Sequence, residues 1–528
     1  MTSGRGVTVA GERSFRHGVA LLTLTTFCFL ALWATLTPPL STMDEPRHFN
    51  SVLRLVQGGG WPPPKTAPML QGTALAATEA RGDDTAERGQ VPRDQRSSVL
   101  RLDGADPRAG KPDWMTQHPP TYYGLSAGLV IGTDAVTPGD QRWDQTLLVM
   151  RLFSCLLTAA AVPFVARSLM LVTTSVPASL VGTVTFLLIP QLFNSHSLVT
   201  NDSMVTLLGA TLTWASLRAY LRPQTLMSSS VVAGLVLGVG LLTKGLMLAA
   251  VPVLAMFLLL AGRRAGPGWR HRFWTPLLGG AIALVVGGWW WLRNLLVHGQ
   301  IQSSNYDSFR YAESFDGYSL GSFLLQTVVR LNRTFWASIR PALGYDGTLL
   351  VLIGATMLLV VVTALVLSSR RKVLLLTAVY PALVTALFTH HAWQVFWNTG
   401  LIAGVQGRYL YSGLTFLALA LGLAWQELTA RIGRTLGVVM AAALAIVSLV
   451  AMVGSHVYAL RVHWSAGQDS LPQMYLAMVN ASAVPVWAHL GLLVVTATAW
   501  TLAMTNVVRA TRAASARVSA PAVGPRGS

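Results

Sequence analysis

Asp44, Glu45, Arg47 and His48 stand together in the stretch STMDEPRHFN (41–50), directly after the apolar run Gly18–Leu36. A carboxylate with an imidazole one helical turn further along the same face is a pairing suited to taking a proton from a hydroxyl. The simpler role for Asp44 is to cap a helix whose dipole favours an acid there. Further groups with chemistry follow at intervals. TQHPPTYYGL (116–125) carries His118 and the pair Tyr122–Tyr123, and HSLVTNDSM (196–204) carries Asn201 and Asp202. LLTKGL (241–246) isolates Lys244, WWWLRNLLVHG (289–299) places Arg293 and Asn294 after an aromatic belt, and GVQGRYLYSGL (404–414) offers Gln406, Arg408 and Tyr409. A guanidinium grips phosphate through paired hydrogen bonds, and an ammonium meets it as a point charge. Each motif also has a structural reading: an interfacial anchor for the tyrosines, a cap for Asn201 and Asp202, a snorkelling tip for Lys244.

The elements that must hold these groups are membrane spans. Over 528 residues the chain is 52% hydrophobic and 11% charged, with a mean hydropathy of +0.50, a composition that excludes a soluble multi-domain protein. No A-x-A-type cleavage site precedes Asp44, so the segment from Phe15 is a first span and not a cleaved leader. Cys28 and Cys155 both fall in apolar segments and supply no disulfide framework. The net charge of +18 comes without a basic block interleaved with aromatics, so nucleic acid is not a partner.

Apolar windows of about 17–25 residues predict about twelve transmembrane helices in an all-α polytopic protein. They lie near 18–37, 145–170, 177–195, 203–221, 229–243, 246–262, 274–294, 347–368, 373–390, 408–426, 435–455 and 485–507. The run Val231–Leu260 is read as two spans broken at Thr243–Lys244–Gly245. That division puts Arg218 and Arg222, Arg263 to Arg272, Arg370 to Lys372, Arg431 and Arg434, and Arg509 to Arg517 on one side with Arg5, Arg13 and Arg16, as the positive-inside rule requires. Of the 21 carboxylates, only Glu12 and Glu427 then face the cytoplasm.

The domain plan is a cytoplasmic tail (1–17), a transmembrane module (18–430), C-terminal transmembrane helices (431–508) and a basic disordered cytoplasmic tail (509–528). Within the module, a first outer loop spans 38–144 and a second 295–346. Residues 79–113 predict an irregular excursion. Phe49, Val52, Leu53 and Val56 recur at helical spacing after Pro46 and stop at Gly58–Gly59–Gly60, which predicts a short amphipathic helix on the membrane surface. No internal repeat marks a transporter.

Charge placement bears on mechanism. A proton- or ion-coupled transporter is expected to carry carboxylates inside its helices. Here the acids and bases gather at the outer interface, where a lipid-tailed donor could present its head group.

The order of DEPRH after the first span, HPPTYY, an Asn-Asp pair at the outer end of a later span and QGRYL resembles the GT-C superfamily of membrane glycosyltransferases, which use polyprenyl-phosphate sugars. The same motifs are similar to a bacterial family of membrane proteins of unknown function grouped with that superfamily, over roughly residues 18–430. The resemblance implies a GT-C-like fold with amphipathic interfacial helices in the first outer loop. It further implies that Asp44 is the general base or a metal-positioning carboxylate, with Glu45 as its stand-in and His48 beside them. Inversion at the anomeric carbon follows if Asp44 deprotonates the acceptor.

Arg408, Lys244 and Arg293, in that order, are the expected phosphate ligands, with His118, Tyr122, Tyr123, Asn201, Asp202, Asn294, Gln406 and Tyr409 lining the substrate site. Some members of the superfamily need a divalent cation. Asp44, Glu45, His48 and His118 could supply ligands, but their spacing assigns no metal set and no cofactor. The implied partners are the polyprenyl-phosphate sugar, an extracytoplasmic glycan or lipid acceptor, and membrane lipids, at the outer face of a bacterial cytoplasmic membrane with both termini inside. The competing expectations are a lipid-linked saccharide flippase or other transporter, and a non-catalytic scaffold for envelope assembly.

Overall fold

Lipid offers backbone groups no hydrogen-bond partner, so apolar segments in it must satisfy their own amides as helices. The computed structural model describes residues 9–41, 44–64, 66–81, 91–102, 104–106, 112–266, 268, 273–302, 319–337, 347–466 and 468–519. Among them there is no strand, only two isolated bridges, Leu70 to Ala105 and Ser98 to Arg142. Among the described residues, ten helices are long and apolar enough to cross a membrane: Gly11–Leu36, Trp143–Thr173, Pro223–Leu241, Gly245–Ala265, Thr275–His298, Gly347–Leu367, Arg371–Trp397, Gly407–Ile432, Thr435–Trp464 and Val486–Ala513.

The two remaining expected spans take other forms. The third is a broken pair, Val176–Leu188 and Pro190–His196, bent by 63°; Pro190 cannot extend the preceding hydrogen-bond ladder. The fourth is the 20-residue helix Asp202–Leu221, which is less apolar than those ten because Thr206, Thr211, Thr213 and Ser216 interrupt it, and which buries most of its length. The division of 231–260 is borne out. Leu226–Leu241 ends with the amides of Leu242 and Lys244 on the carbonyls of Gly238 and Gly240, and Lys244 itself is extended at φ −159° and ψ 142°.

The outer loops are packed against the bundle. Helix Glu45–Val56 has Pro46 in its first turn, and the chain leaves it at Gly58 with φ 76°, a backbone conformation open to glycine at little cost. Its apolar residues Phe49, Val52 and Leu53 are fully buried, so its apolar face meets protein and not the membrane surface. On its polar side Asn50 and Ser51 each donate to Asp113 at 2.8 Å. The exposed apolar faces belong to two other loop helices, through Leu125, Leu129 and Ile131 of Thr121–Val136 and Leu324, Leu325, Val328 and Val329 of Leu320–Trp336.

Within 79–113, helix Gln71–Arg81 enters the excursion, and residues 91–102 hold only short turns, Arg93–Gln95 and one closed by the amide of Leu102 on the carbonyl of Val99. Buried Arg96 pairs with Asp144 at 2.6 Å and donates to the carbonyl of Asn480, while Arg93 donates to those of Val479, Ser482 and Val484. These bonds tie the first loop to the turn before the last helix. That helix, Val486–Ser519, continues beyond the expected end of the span into the basic tail; residues 520–528 of the tail, like 1–8 of the N-terminal one, lie outside the described residues.

Candidate functional site

Asp44 occupies the N-cap position of Glu45–Val56, yet its side chain caps no amide. Its backbone carbonyl takes the amides of Arg47 and His48, and its Oδ2 accepts a hydrogen bond from Arg408 at 2.8 Å. The capping role is therefore not what fixes this carboxylate.

Arg408 is delivered by the tight turn Gly407–Gly413. A Cβ on Gly407 would lie 2.3 Å from the backbone nitrogen of Phe335, and one on Gly209 would lie 2.1 Å from the carbonyl oxygen of Ser412. Both glycines let backbone approach backbone, Gly407 seating the turn against helix Leu320–Trp336 and Gly209 seating it against helix Asp202–Leu221. The amide of Gly407 donates to Thr334, the Tyr411 hydroxyl to the carbonyl of Phe335, and Arg330 to the carbonyls of Ile402 and Val405. Arg408 Nε then lies 3.3 Å from Asp202 Oδ2, and Asp202 Oδ1 accepts from Lys244 Nζ at 2.5 Å. The Tyr409 ring lies 4.9 Å from the Lys244 ammonium and 5.8 Å from the Arg408 guanidinium, close enough for attraction to its π-face.

Four elements far apart in sequence thus meet in one row of alternating charge, Asp44, Arg408, Asp202, Lys244. Their side chains are 31%, 24%, 5% and 12% exposed in that order. Asp44 is the open carboxylate and Asp202 the enclosed one. Lys244 does not snorkel to solvent; its amine turns inward.

The histidines flank the row. His48 Nδ1 bonds the Tyr123 hydroxyl at 3.0 Å with the two rings stacked. Burial, with Lys244 and Arg408 adding to it against Asp44 and Asp202, brings His48 down to about 4. His118 is brought down to about 3 by burial first and then by Lys244 and His48, and its Nδ1 is buried without a hydrogen-bond partner. Both are neutral at physiological pH. Burial alone would raise the Asp44 carboxyl, but Arg408, His48 and Lys244 outweigh it and hold the group below its ordinary 3.8.

Other residues expected at the site lie around or beyond this row. The Tyr122 hydroxyl bonds Ser154 at 2.7 Å and accepts the amide of Thr200, supporting the segment that leads to Asp202. Asn201 is fully buried, and both its amide atoms lack a hydrogen-bond partner. Gln406 begins the Arg408 turn, its carbonyl accepting the amide of Tyr409. Arg293 lies 5.7 Å over the Trp290 ring, and Asn294 donates to the carbonyl of Ile301; neither is joined to the charged row. Glu45 turns away from Asp44 and forms a bidentate, buried pair with Arg151 at 2.7 and 2.6 Å.

Sequence reading overlooked Arg151, although a lone arginine inside an apolar span signals a buried partner. It also overlooked Trp61, whose indole donates to the carbonyl of His118 and whose ring meets Tyr123. Arg47 stacks on Trp114 at 3.4 Å. Trp114 and Trp61 had no partner visible in the sequence, since each meets a residue brought to it only by the fold. Among the described residues, no three His, Cys, Asp or Glu side chains gather as metal ligands.

Residues 27–417 match the model of a family described as "Predicted membrane protein (DUF2142)". No curated protein matches the chain. Among solved structures the chain is similar to ArnT from Cupriavidus metallidurans bound to undecaprenyl phosphate, at 16% identity and a TM-score of 0.47, covering 95% of this chain and 78% of that one. It is also similar to the archaeal oligosaccharyltransferase AglB from Archaeoglobus fulgidus in complex with an inhibitory peptide and a dolichol-phosphate, at 12% identity and a TM-score of 0.41, covering 94% of this chain and 56% of that one.

Proposed function

The chain belongs to the DUF2142 family of predicted membrane proteins, and we propose that it transfers a sugar from a polyprenyl-phosphate donor to a hydroxyl of an extracytoplasmic glycan or lipid, with inversion. The observation that carries this reading is the row Asp44, Arg408, Asp202, Lys244. It supplies a partly open carboxylate and two cations held side by side by an enclosed one. A scaffold has no need to assemble such a row. A transporter reading would call for carboxylates at mid-membrane, whereas Asp44 and Asp202 stand at helix starts.

In this mechanism Lys244 and Arg408 receive the donor phosphate, oriented by Asp202. Asp44 takes the proton of the acceptor hydroxyl as that oxygen bonds to the anomeric carbon. The bond from carbon to phosphate oxygen breaks, and its electron pair leaves with the phosphate. Charge therefore moves from Asp44 to the leaving phosphate. Arg408 adjoins Asp44, so one guanidinium can follow the charge from base to leaving group. The donor tail remains in the bilayer. The arginine distribution read in the sequence supports placing the site on the side opposite the arginine-rich loops, the outer face.

The test is sugar transfer from a pool of labelled polyprenyl-phosphate sugars in membranes that lack the native enzyme. Asp44→Asn is expected to abolish transfer while leaving expression and polyprenyl-phosphate binding intact. Equal transfer by the variant would remove Asp44 as base, and no transfer by wild type would overturn the reading as a whole.

A further inference from the structure

The pair Glu45–Arg151 has no part in the proposed chemistry, yet it saturates its own bonding capacity. Arg151 Nε and Nη2 donate to the two Glu45 oxygens, Nη1 to the carbonyls of Ala34 and Thr37, and Nη2 also to that of Pro38. All the donors of the guanidinium fork are used. The same Glu45 oxygens accept the amides of Leu40 and Val199, each at 3.2 Å. The side chains are 0% and 3% exposed, so neither meets an acceptor.

The segments joined by this pair are those that carry the two carboxylates of the site. Ala34 to Leu40 is the exit of the first span, and Leu40 is held at φ 52°, a left-handed conformation rare for a leucine. Glu45 directly follows Asp44. Val199 stands three residues before Asp202, and Arg151 comes from the second span. One buried pair thus fixes both neighbours of Arg408 from behind.

We propose that Glu45 and Arg151 are positioning residues that set the spacing of Asp44 and Asp202 and exchange no proton during the reaction. The catalytic part of this inference rests on the transfer reading; the clamp itself does not.

The test is a double-variant cycle on the full chain with Glu45→Gln, Arg151→Gln and the two combined, followed by transfer kinetics and by the thermal unfolding midpoint from tryptophan fluorescence. Each single change leaves a buried partner uncompensated, so each is expected to lower kcat at least tenfold and to lower the midpoint. The combined change removes both charges and is expected to recover part of both losses. Arg151→Lys keeps the charge but lacks the fork, and is expected to fold, with kcat reduced and the donor KM within about twofold of wild type.

A combined variant as inactive as Glu45→Gln, with Glu45→Gln unfolding at the wild-type midpoint, would make Glu45 the proton acceptor and overturn the inference. Should wild type transfer nothing, the transfer reading falls and the midpoints decide the clamp. Recovery in the combined variant sustains it, and purely additive losses remove it.

Discussion

At the scale of single residues, chemistry and burial pull the same groups in different directions. Lys244 interrupts an apolar run, where a lone amine would ordinarily reach for solvent. Its 2.5 Å bond to nearly enclosed Asp202 decides otherwise, because a buried carboxylate without a partner is costly. Lys244→Met leaves Asp202 with Arg408, 3.3 Å away, as its remaining charged partner, so it is expected to lower stability by less than the about 3–5 kcal/mol of a wholly unpaired buried charge, measured as unfolding in detergent. Lys244→Arg is expected to keep most of that stability but to raise the donor KM, since a planar fork does not replace a point charge. The individual acids and bases were readable from type and position: Asp44, Asp202, Lys244, Arg408 and Tyr409 come together, with His48 and Tyr123 bonded alongside. What the sequence could not decide was Asp44 against Glu45. Adjacent carboxylates at a helix start look alike until one of them finds Arg151, more than a hundred residues away.

At the scale of elements, the turn that carries Arg408 depends on backbone contact that admits no side chain. Gly407→Ala would place a Cβ 2.3 Å from the Phe335 nitrogen, so the turn must retreat from helix Leu320–Trp336 and carry Arg408 away from Asp44. Overpacking of this kind typically costs about 1–3 kcal/mol. The loss of transfer is expected to exceed that of stability, falling at least tenfold, and parallel kinetic and unfolding measurements separate the two. Hydropathy alone sufficed for most elements, because each span satisfies its own backbone, while the break at Lys244 also needed the arginine distribution, which only a divided run keeps on one side. It misjudged the setting of Glu45–Val56: a periodic apolar stripe states that a face is covered without stating by what. Here Phe49 and Val52 meet protein, and the exposed apolar residues lie on Thr121–Val136 and Leu320–Trp336, while the Tyr122–Tyr123 pair, for which an interfacial anchor is the structural reading, is fully buried.

At the scale of the whole molecule, the outer loops and the bundle make one structure, and two buried histidines at their junction link its stability to pH. His48 and His118 are lowered from 6.5 to about 4 and about 3. As pH falls below about 6.5, the unfolded chain takes up these protons before the folded one does. The stability due to neutral, buried imidazoles is thus fully present above pH 6.5 and is lost as pH falls toward the folded values, by about 1.4 kcal/mol for each unit of separation. Asp44 loses its contribution only below its unfolded 3.8, outside most of this window. Asp113, raised by burial in spite of bonds from Asn50, Met115 and Ser51, acts in the opposite sense, its contribution becoming more favourable as pH falls through its raised folded value. The unfolding midpoint is therefore expected to fall between about pH 6.5 and pH 4, and His118→Gln to flatten that fall by removing the group with the larger shift. Parallel curves for the two proteins would mean that the His118 ring takes up its proton in place, which would require water or an anion beside its unpartnered Nδ1.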